Sequence, residues 1–205
     1  MERLRRLLDF WFGGVDEKIP LTSHSPVVKR WFVSDEKVVS EIRETFEGDL
    51  IRARKGKYEA WQDSPEGRLG LILLFDQVPR YVYPHSPKAF ENDLRALEYC
   101  FLTIKSRWDE KIDPVKRVFL YLPLMHAENL TIQKQSLDYL GKLSKAAEKR
   151  DDKNFDYFEY ILDLAYEHYD VIKQFGRFPF RNIILGRNSS PQELEYLQQM
   201  QQMKV

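Results

Sequence analysis

The sequence lacks the cysteines that a disulfide framework or a cysteine-rich zinc site would require. Cys100 is the only cysteine among 205 residues, which excludes an internal disulfide and a zinc site built on several thiolates. A single cysteine is typical of proteins in a reducing compartment, so we predict a cytoplasmic location. Because Cys100 lies between Leu97 and Ile104 on an apolar face, we interpret it as a buried, inert thiol.

The sequence also lacks a net charge, since 32 basic residues balance 32 acidic ones. Proteins that bind nucleic acid or anionic lipid usually present an excess of positive charge. The N-terminal apolar stretch is too short for a signal sequence or a membrane span, and Asp9 interrupts it. We therefore expect no nucleic-acid partner and no membrane partner, and we expect any charged ligand to bind to a local cluster.

Alternating strand patterns are almost absent, whereas helix signals run along most of the chain. A capping side chain followed by proline marks five helix starts: Ser25-Pro26, Ser64-Pro65, Ser86-Pro87, Asp113-Pro114 and Ser190-Pro191. The capping oxygen accepts a hydrogen bond from an otherwise unpaired backbone N–H, and proline already has a helical φ. Helices joined by short turns predict an all-α fold of packed antiparallel helical hairpins. We expect a single domain over residues 1–205, with a tail at 198–205 that can fray.

Apolar residues recur at every third or fourth position in several segments, as in helices with one buried face. After Ser86 this spacing predicts one long helix with a core face made of Phe90, Leu94, Leu97, Phe101, Ile104 and Trp108. Residues 69–75 are apolar all round, which is typical of a helix in the middle of a fold, and Pro79 is predicted to end it. Gly176 follows another long helix and is predicted to be its left-handed C-cap.

Three segments place polar side chains where the surrounding pattern is apolar, and they supply the candidate site residues. These are Asp76, Gln77, Arg80, His126, Glu128, Arg177, Arg181, Asn182 and Arg187. A histidine beside a carboxylate is typical of acid/base catalysis, so His126 is the predicted acid/base group, with Glu128 or Asp76 as its orienting partner.

Guanidinium groups suit a carboxylate or a phosphate, so Arg177 and Arg181 are predicted to clamp an anion, with Arg80 or Arg187 assisting. Gln77 and Asn182 complete the predicted lining of the pocket. Zinc-protease spacing is missing, so we predict no metal site. Dinucleotide and phosphate-loop fingerprints are also missing, so we predict no cofactor.

The chain resembles the bacterial family catalogued as domain of unknown function 924. The resemblance rests on ordered motifs along nearly the whole chain: Leu8-Asp9-Phe10-Trp11-Phe12-Gly13, Arg30-Trp31-Phe32, Asp76-Gln77-Val78-Pro79-Arg80, Leu122-Pro123-Leu124-Met125-His126-Ala127-Glu128, Phe175-Gly176-Arg177-Phe178-Pro179, Arg181-Asn182 and Leu185-Gly186-Arg187. It implies an all-helical fold similar to tetratricopeptide-like superhelices, without a settled activity. Phe180 stands where the family's pattern has histidine, and Ala127 where serine is common, so we base no mechanism on position 180.

Two functional hypotheses fit these residues. In the first, the candidates line a pocket between helices that binds a small anionic metabolite and processes it, and His126 lies near Arg177 or Arg181. In the alternative, the domain is a helical module that binds a peptide or partner protein in a groove, and the same residues form a structural polar network. Buried charges are usually paired, which keeps this alternative open, and fold alone does not determine function.

Overall fold

The computed structural model describes residues 2–16, 18–32 and 35–202, and these residues form helices and turns without a strand. The helices are α1 (Glu2–Phe12), α2 (Pro26–Phe32), α3 (Glu36–Arg54), α4 (Pro65–Ile72), α5 (Val78–Val82), α6 (Asp93–Lys105), α7 (Pro114–Met125), α8 (Leu130–Lys149), α9 (Phe155–Phe175) and α10 (Pro191–Gln202). Short 3-10 turns lie at Glu59–Asp63, Pro87–Ala89, Asp109–Lys111 and Pro179–Arg181, and a π turn lies at Leu73–Gln77.

The predicted all-α fold is therefore confirmed for the described part of the chain. The tetratricopeptide-like superhelix and the single domain over 1–205 stay predictions. Of the tail predicted to fray, residues 198–202 continue α10, and 203–205 lie outside the described residues. No described helix combines the length and the hydrophobicity that a membrane span requires.

Most of the proline-linked helix starts are confirmed. Helices α2, α4, α7 and α10 each begin at the expected proline. Ser64 Oγ accepts a hydrogen bond from the backbone N of Gly67 at 3.1 Å, and Asp113 Oδ1 accepts one from the backbone N of Val115 at 2.9 Å. Gly176 ends α9 with a φ of 71°, the left-handed cap that the sequence predicts.

The prediction for the segment after Ser86 is wrong about the start of the helix and about part of its core face. Only a 3-10 turn follows Ser86, and α6 begins at Asp93. Of the predicted core face, Leu97 is buried as expected, whereas Leu94 is 82% exposed. The rest of the buried face of α6 consists of Ala96, Tyr99, Cys100 and Thr103. Small side chains let α6 pack closely against α4 and α7, so the face with the larger residues is turned partly outward. The Cys100 thiol is buried as expected, and burial raises its pKa.

Pro79 does not end the helix that precedes it, contrary to the prediction. Residues 65–82 continue from α4 through the π turn into α5. Pro79 lies in the first turn of α5, where its missing N–H is tolerated, and the wider turn before it lets the N–H of Val78 donate to the carbonyl of Leu73. The expected burial of residues 69–75 is confirmed. The π turn therefore carries Asp76 and Gln77 in the interior of the fold.

Helix α7 is a central element of the core, and it places His126. Its residues 118–125 are all buried, and it packs against α4, α6, α8 and α9. Helices α8 and α9 form a hairpin closed by the turn at 150–154. His126 is the C-cap residue of α7. The buried end of α7 and the buried π turn together bring His126 next to Asp76.

Candidate functional site

Asp76 and His126 form a hydrogen-bonded pair at the centre of the candidate site. The Nδ1 atom of His126 lies 2.7 Å from Oδ1 of Asp76, whose side chain is fully buried. Oδ2 of Asp76 accepts a hydrogen bond from Nε2 of Gln77 at 2.5 Å. Since the sequence allowed either Asp76 or Glu128 as the partner of His126, the geometry selects Asp76. We call these two residues the Asp76–His126 pair.

The electrostatics of this pair favour a charged aspartate and a neutral histidine. Burial raises the pKa of Asp76, but the charge of Arg80 and the interaction with His126 outweigh it, so the pKa lies below its ordinary value. Burial lowers the pKa of His126, although Asp76 opposes the shift. A neutral His126 whose Nδ1–H donates to Asp76 carries its lone pair on Nε2. Nε2 has no hydrogen-bond partner among the described residues.

Asp76 also belongs to a group of four charged side chains, which we call the charge cluster: Asp76, Arg80, Asp93 and Arg181. Arg80 binds Asp93 with two hydrogen bonds of 2.9 and 3.0 Å, and its Nη1 lies 3.3 Å from Oδ1 of Asp76. Nη1 of Arg80 also donates to the backbone carbonyl of Asp76. Arg181 donates to Asp93 at 3.3 Å and to the carbonyl of His126 at 3.0 Å. Two acids and two arginines make the cluster neutral.

Arg181 is held between aromatic rings in the interior. Its guanidinium carbon lies 4.5 Å from the centroid of Phe90 and 4.6 Å from that of Phe178, and the residue is 6% exposed. Burial and the charge of Arg80 lower its pKa to about 10. Its Nε atom is buried without a hydrogen-bond partner in the described part of the chain. The expectation that His126 lies near Arg177 or Arg181 is confirmed for Arg181.

Glu128, Asn182 and Arg187 form a second polar group beside the cluster. Arg187 binds Glu128 through two hydrogen bonds of 2.6 and 2.9 Å, and its Nε donates to Oδ1 of Asn182 at 2.9 Å. Glu128 also accepts a hydrogen bond from the backbone N of Phe178 at 2.8 Å. Among the described contacts, this carboxylate binds the C-terminal segment and not the imidazole of His126.

Arg177 belongs to a third group, which anchors α10. Its Nε and Nη2 donate to the carboxylate of Glu193 at 2.7 and 2.8 Å, and Nη2 also donates to the carbonyl of Asn188. Glu193 closes the capping box with Ser190, whose N–H it accepts at 2.7 Å. The hydrogen bond from Arg177 lowers the pKa of Glu193 to about 2. None of the described hydrogen bonds of Arg177 reaches the charge cluster.

A cavity of about 490 Å³ lies beside His126, and we call it the cleft. Its polar lining residues are Gln77, Arg80, His85 and His126, and its apolar ones are Trp31, Phe32, Val39, Tyr81, Pro84 and Leu122. A second cavity of about 350 Å³ also includes His126, together with Asp93, Glu128 and Arg181 among its lining residues. His126 is therefore common to both cavities. In the described ranges, no three metal-ligating side chains converge on a point.

Sequence reasoning missed Asp93 and Trp31 as residues of this site, and it gave no role to His168, although His168 opens the third polar segment. Asp93 joins Arg80 to Arg181, but it looks like an ordinary acid in the first turn of a helix. The ring of His168 lies 6.2 Å from that of His126, and its Nδ1 donates to the carbonyl of Leu164. Trp31 lines the cleft, and its place in an aromatic motif is the one signal that could have pointed to it.

Two partly buried histidines, His126 and His168, make the stability of this protein depend on pH. Burial lowers the pKa of both His126 and His168. Such a group takes up its proton mainly in the unfolded chain, so its stabilising effect is complete above an unfolded pKa of about 6.5 and declines as the pH falls below it. We expect the Tm to fall between about pH 7.5 and about pH 5.5, and to fall less in His126→Gln. His24→Gln, at an exposed histidine, is the control. An unchanged pH dependence in His126→Gln would contradict this prediction.

The comparisons with known proteins identify the family. A solved structure of a protein of unknown function from Agrobacterium tumefaciens is similar to this chain, with 28% sequence identity and a TM-score of 0.78. The similarity covers 96% of this chain and 97% of that protein. No match was found among curated proteins. A family model matches residues 7–201, and the chain therefore belongs to the family described as bacterial protein of unknown function (DUF924).

Proposed function

We propose that this protein binds a small anionic metabolite in the cleft and that the Asp76–His126 pair transfers a proton to or from it. The observation that carries the proposal is the 2.7 Å contact between a buried carboxylate and an imidazole that also lines a cavity of about 490 Å³. Concave sites with apolar walls and a few polar groups are typical of small-molecule binding. A titratable group with a shifted pKa in such a site is a candidate for catalysis.

The proposed proton transfer follows from the tautomer of His126. Asp76 accepts the hydrogen of Nδ1, which leaves the lone pair of Nε2 available to take a proton from a bound ligand. The charge of Asp76 then stabilises the imidazolium that forms, and the hydrogen bond keeps the ring in its orientation. In the reverse direction, the imidazolium returns the proton from Nε2.

Arg80 is the arginine that the proposal assigns to the anion, because it lines the cleft. Its two Nη atoms bind the aspartates of the charge cluster, whereas its Nε has no hydrogen-bond partner among the described residues. Arg177 and Arg187 were also predicted to contact the anion. Each of them binds a glutamate with two hydrogen bonds, which favours a structural role for both.

The second candidate function is a helical interaction module. Two observations favour it: carboxylates pair with all four arginines of the candidate set, and the large apolar side chain of Leu94 is exposed on α6. In this case the charge cluster holds the C-terminal segment to the core, and a peptide or protein partner binds elsewhere. The two functions differ in their response to small anions.

Thermal melting with small anions tests the proposed function. We expect at least one anion from a panel of acetate, oxalate, phosphate and phenylacetate to raise the Tm of the parent protein at matched ionic strength, because a ligand that binds only the native state stabilises it. The response should be lost in His126→Gln and retained in the control His24→Gln. If no anion raises the Tm, or if His126→Gln responds like the parent, the proposal is rejected and the interaction module remains.

A further inference from the structure

We infer that the ligand of the cleft is a carboxylate with one negative charge and an apolar body, and not a phosphorylated or multiply charged metabolite. The inference rests on the proposed function and narrows its ligand class. Two properties of the cleft support it: the polar groups of its aromatic wall are already bonded within the protein, and the charge cluster beside it is neutral.

The wall of the cleft offers hydrocarbon surface and few hydrogen bonds. The indole N–H of Trp31 donates to the carbonyl of Trp11 at 2.9 Å, and the hydroxyl of Tyr81 donates to the carbonyl of Trp31 at 2.7 Å. Both residues therefore present their rings to the cavity, next to Phe32 and Val39. Transfer of a polar ligand body onto such a surface would cost its hydrogen bonds to water. An apolar body, and a flat one above all, gains from the same contact.

The charge cluster sets the charge that the ligand can carry. Asp76 and Asp93 already balance Arg80 and Arg181, so the site offers no excess of positive charge to a ligand. One negative charge can be offset by a single proton taken up on His126. A second negative charge would remain uncompensated at the edge of a buried cluster, where charge is costly.

The unused donor of Arg80 indicates where the carboxylate binds. Nε of Arg80 has no hydrogen-bond partner among the described residues, and both Arg80 and His126 line the cleft. A carboxylate that accepts a hydrogen bond from Nε of Arg80 within the cleft would share that cavity with the imidazole of His126. The apolar body then extends towards Trp31 and Phe32, so the part of the ligand next to its carboxylate faces His126.

Matched probes separate these features by isothermal calorimetry at about pH 7.5, where a phosphate monoester is mostly a dianion. Phenylacetate carries the body and one charge, acetate lacks the body, phenylacetamide lacks the charge, and phenyl phosphate carries an extra charge. We expect phenylacetate to bind the parent protein at least about tenfold more tightly than each of the other three. Acetate loses the burial of the ring, phenylacetamide loses the charge that pairs with Arg80, and phenyl phosphate brings a second charge that stays uncompensated.

A matched pair of variants at Val39 tests the charge argument. Val39 lines the cleft, is half-buried and lies outside the charge cluster. Val39→Asp and Val39→Asn introduce side chains of nearly the same shape, and only the first adds a negative charge. We expect Val39→Asp to bind phenylacetate about fivefold more weakly than Val39→Asn, through repulsion across the cleft. Equal affinities of the two variants would overturn the assignment of the anion to this cleft.

The outcomes distinguish failure of the inference from failure of the proposed function. The inference is overturned, and the proposed function stands, if phenyl phosphate binds the parent protein more tightly than phenylacetate does and His126→Gln abolishes this binding. The same holds if acetate binds as tightly as phenylacetate, because the apolar body then contributes nothing. If no anion, with or without a ring, binds the parent protein, both the inference and the proposed function are overturned.

Discussion

Replacement of Asp76 with asparagine is expected to lower the free energy of unfolding by about 3–5 kcal/mol, the cost of breaking a buried ion pair by removing one partner. Asp76 is fully buried and contacts Arg80, His126 and Gln77. Asparagine keeps the shape but removes the charge, so two arginines would face the single remaining aspartate of the charge cluster. Equilibrium unfolding in urea at neutral pH measures the loss.

Asp49→Asn is the matched control for this substitution. Asp49 is also buried, at 3% exposure, but the arginines that bind it, Arg3 and Arg52, are each about half exposed. The hydroxyl of Tyr58 also donates to Oδ1 of Asp49, and the side-chain oxygen of asparagine can accept the same hydrogen bond. Solvent compensates such partners, so we expect this variant to lose no more than about 1 kcal/mol. If the two variants lost the same amount, the buried charge balance around Asp76 would not be a special feature of the fold. An Asp76→Asn variant with an unchanged free energy of unfolding would also contradict the role of the Asp76 carboxylate in orienting His126.

Replacement of Arg181 with alanine should have an effect of similar size, about 3–5 kcal/mol. The variant leaves the carbonyl of His126 without its donor and opens a gap between Phe90 and Phe178. It also removes half of the positive charge that balances Asp76 and Asp93. An arginine that waited for an anion in the free protein would behave in the opposite way, because its loss would be neutral or stabilising.

Arg177→Ala provides the comparison for Arg181→Ala. Arg177 is about one-third exposed and pairs with Glu193 at the start of α10. We expect a smaller loss of stability than in Arg181→Ala, together with faster hydrogen exchange of the backbone amides in α10. The reason is that the substitution weakens the attachment of α10 and leaves the core intact. Thermal melting and hydrogen exchange of the two variants measure the difference. If Arg181→Ala leaves the free energy of unfolding unchanged, and phenylacetate raises the Tm of the parent protein, then Arg181 and not Arg80 is the residue that binds the anion.

Local signals in the sequence predict much of this fold. Ser64 and Asp113 cap helices through hydrogen bonds from residues two or three positions away, so the neighbouring residues in the sequence are sufficient to predict these helix starts. Asp76 and His126 are recognisable because each is a polar side chain in an apolar segment, and such groups must find a partner. For these two residues, the physical rule and the observed contact agree.

Long-range features could not be predicted in the same way. Arg181 binds Asp93 across 88 positions, and no local pattern distinguishes Asp93 from an ordinary N-terminal helix residue. The core face of α6 was predicted wrongly in part, because large apolar side chains at helical spacing look like a core face. Leu97 is buried, but Leu94 is exposed and small residues such as Ala96 are packed instead. The sequence offered Glu128 and Asp76 as possible partners of His126. In the folded protein His126 contacts Asp76, whereas Glu128 binds Arg187.

The π turn at Leu73–Gln77 holds one more residue than an α-helical turn, so it has the character of a single-residue insertion in an otherwise regular helix. Each residue of an α-helix accounts for about 100° of rotation. A relative without the inserted residue would keep a continuous helix through this region, but the side chains on either side of the deletion would be rotated by that angle against each other. Asp76 and Arg80 could then not both keep their present partners, so the loss of this one residue would break either the contact of Asp76 with His126 or the ion pairs of Arg80.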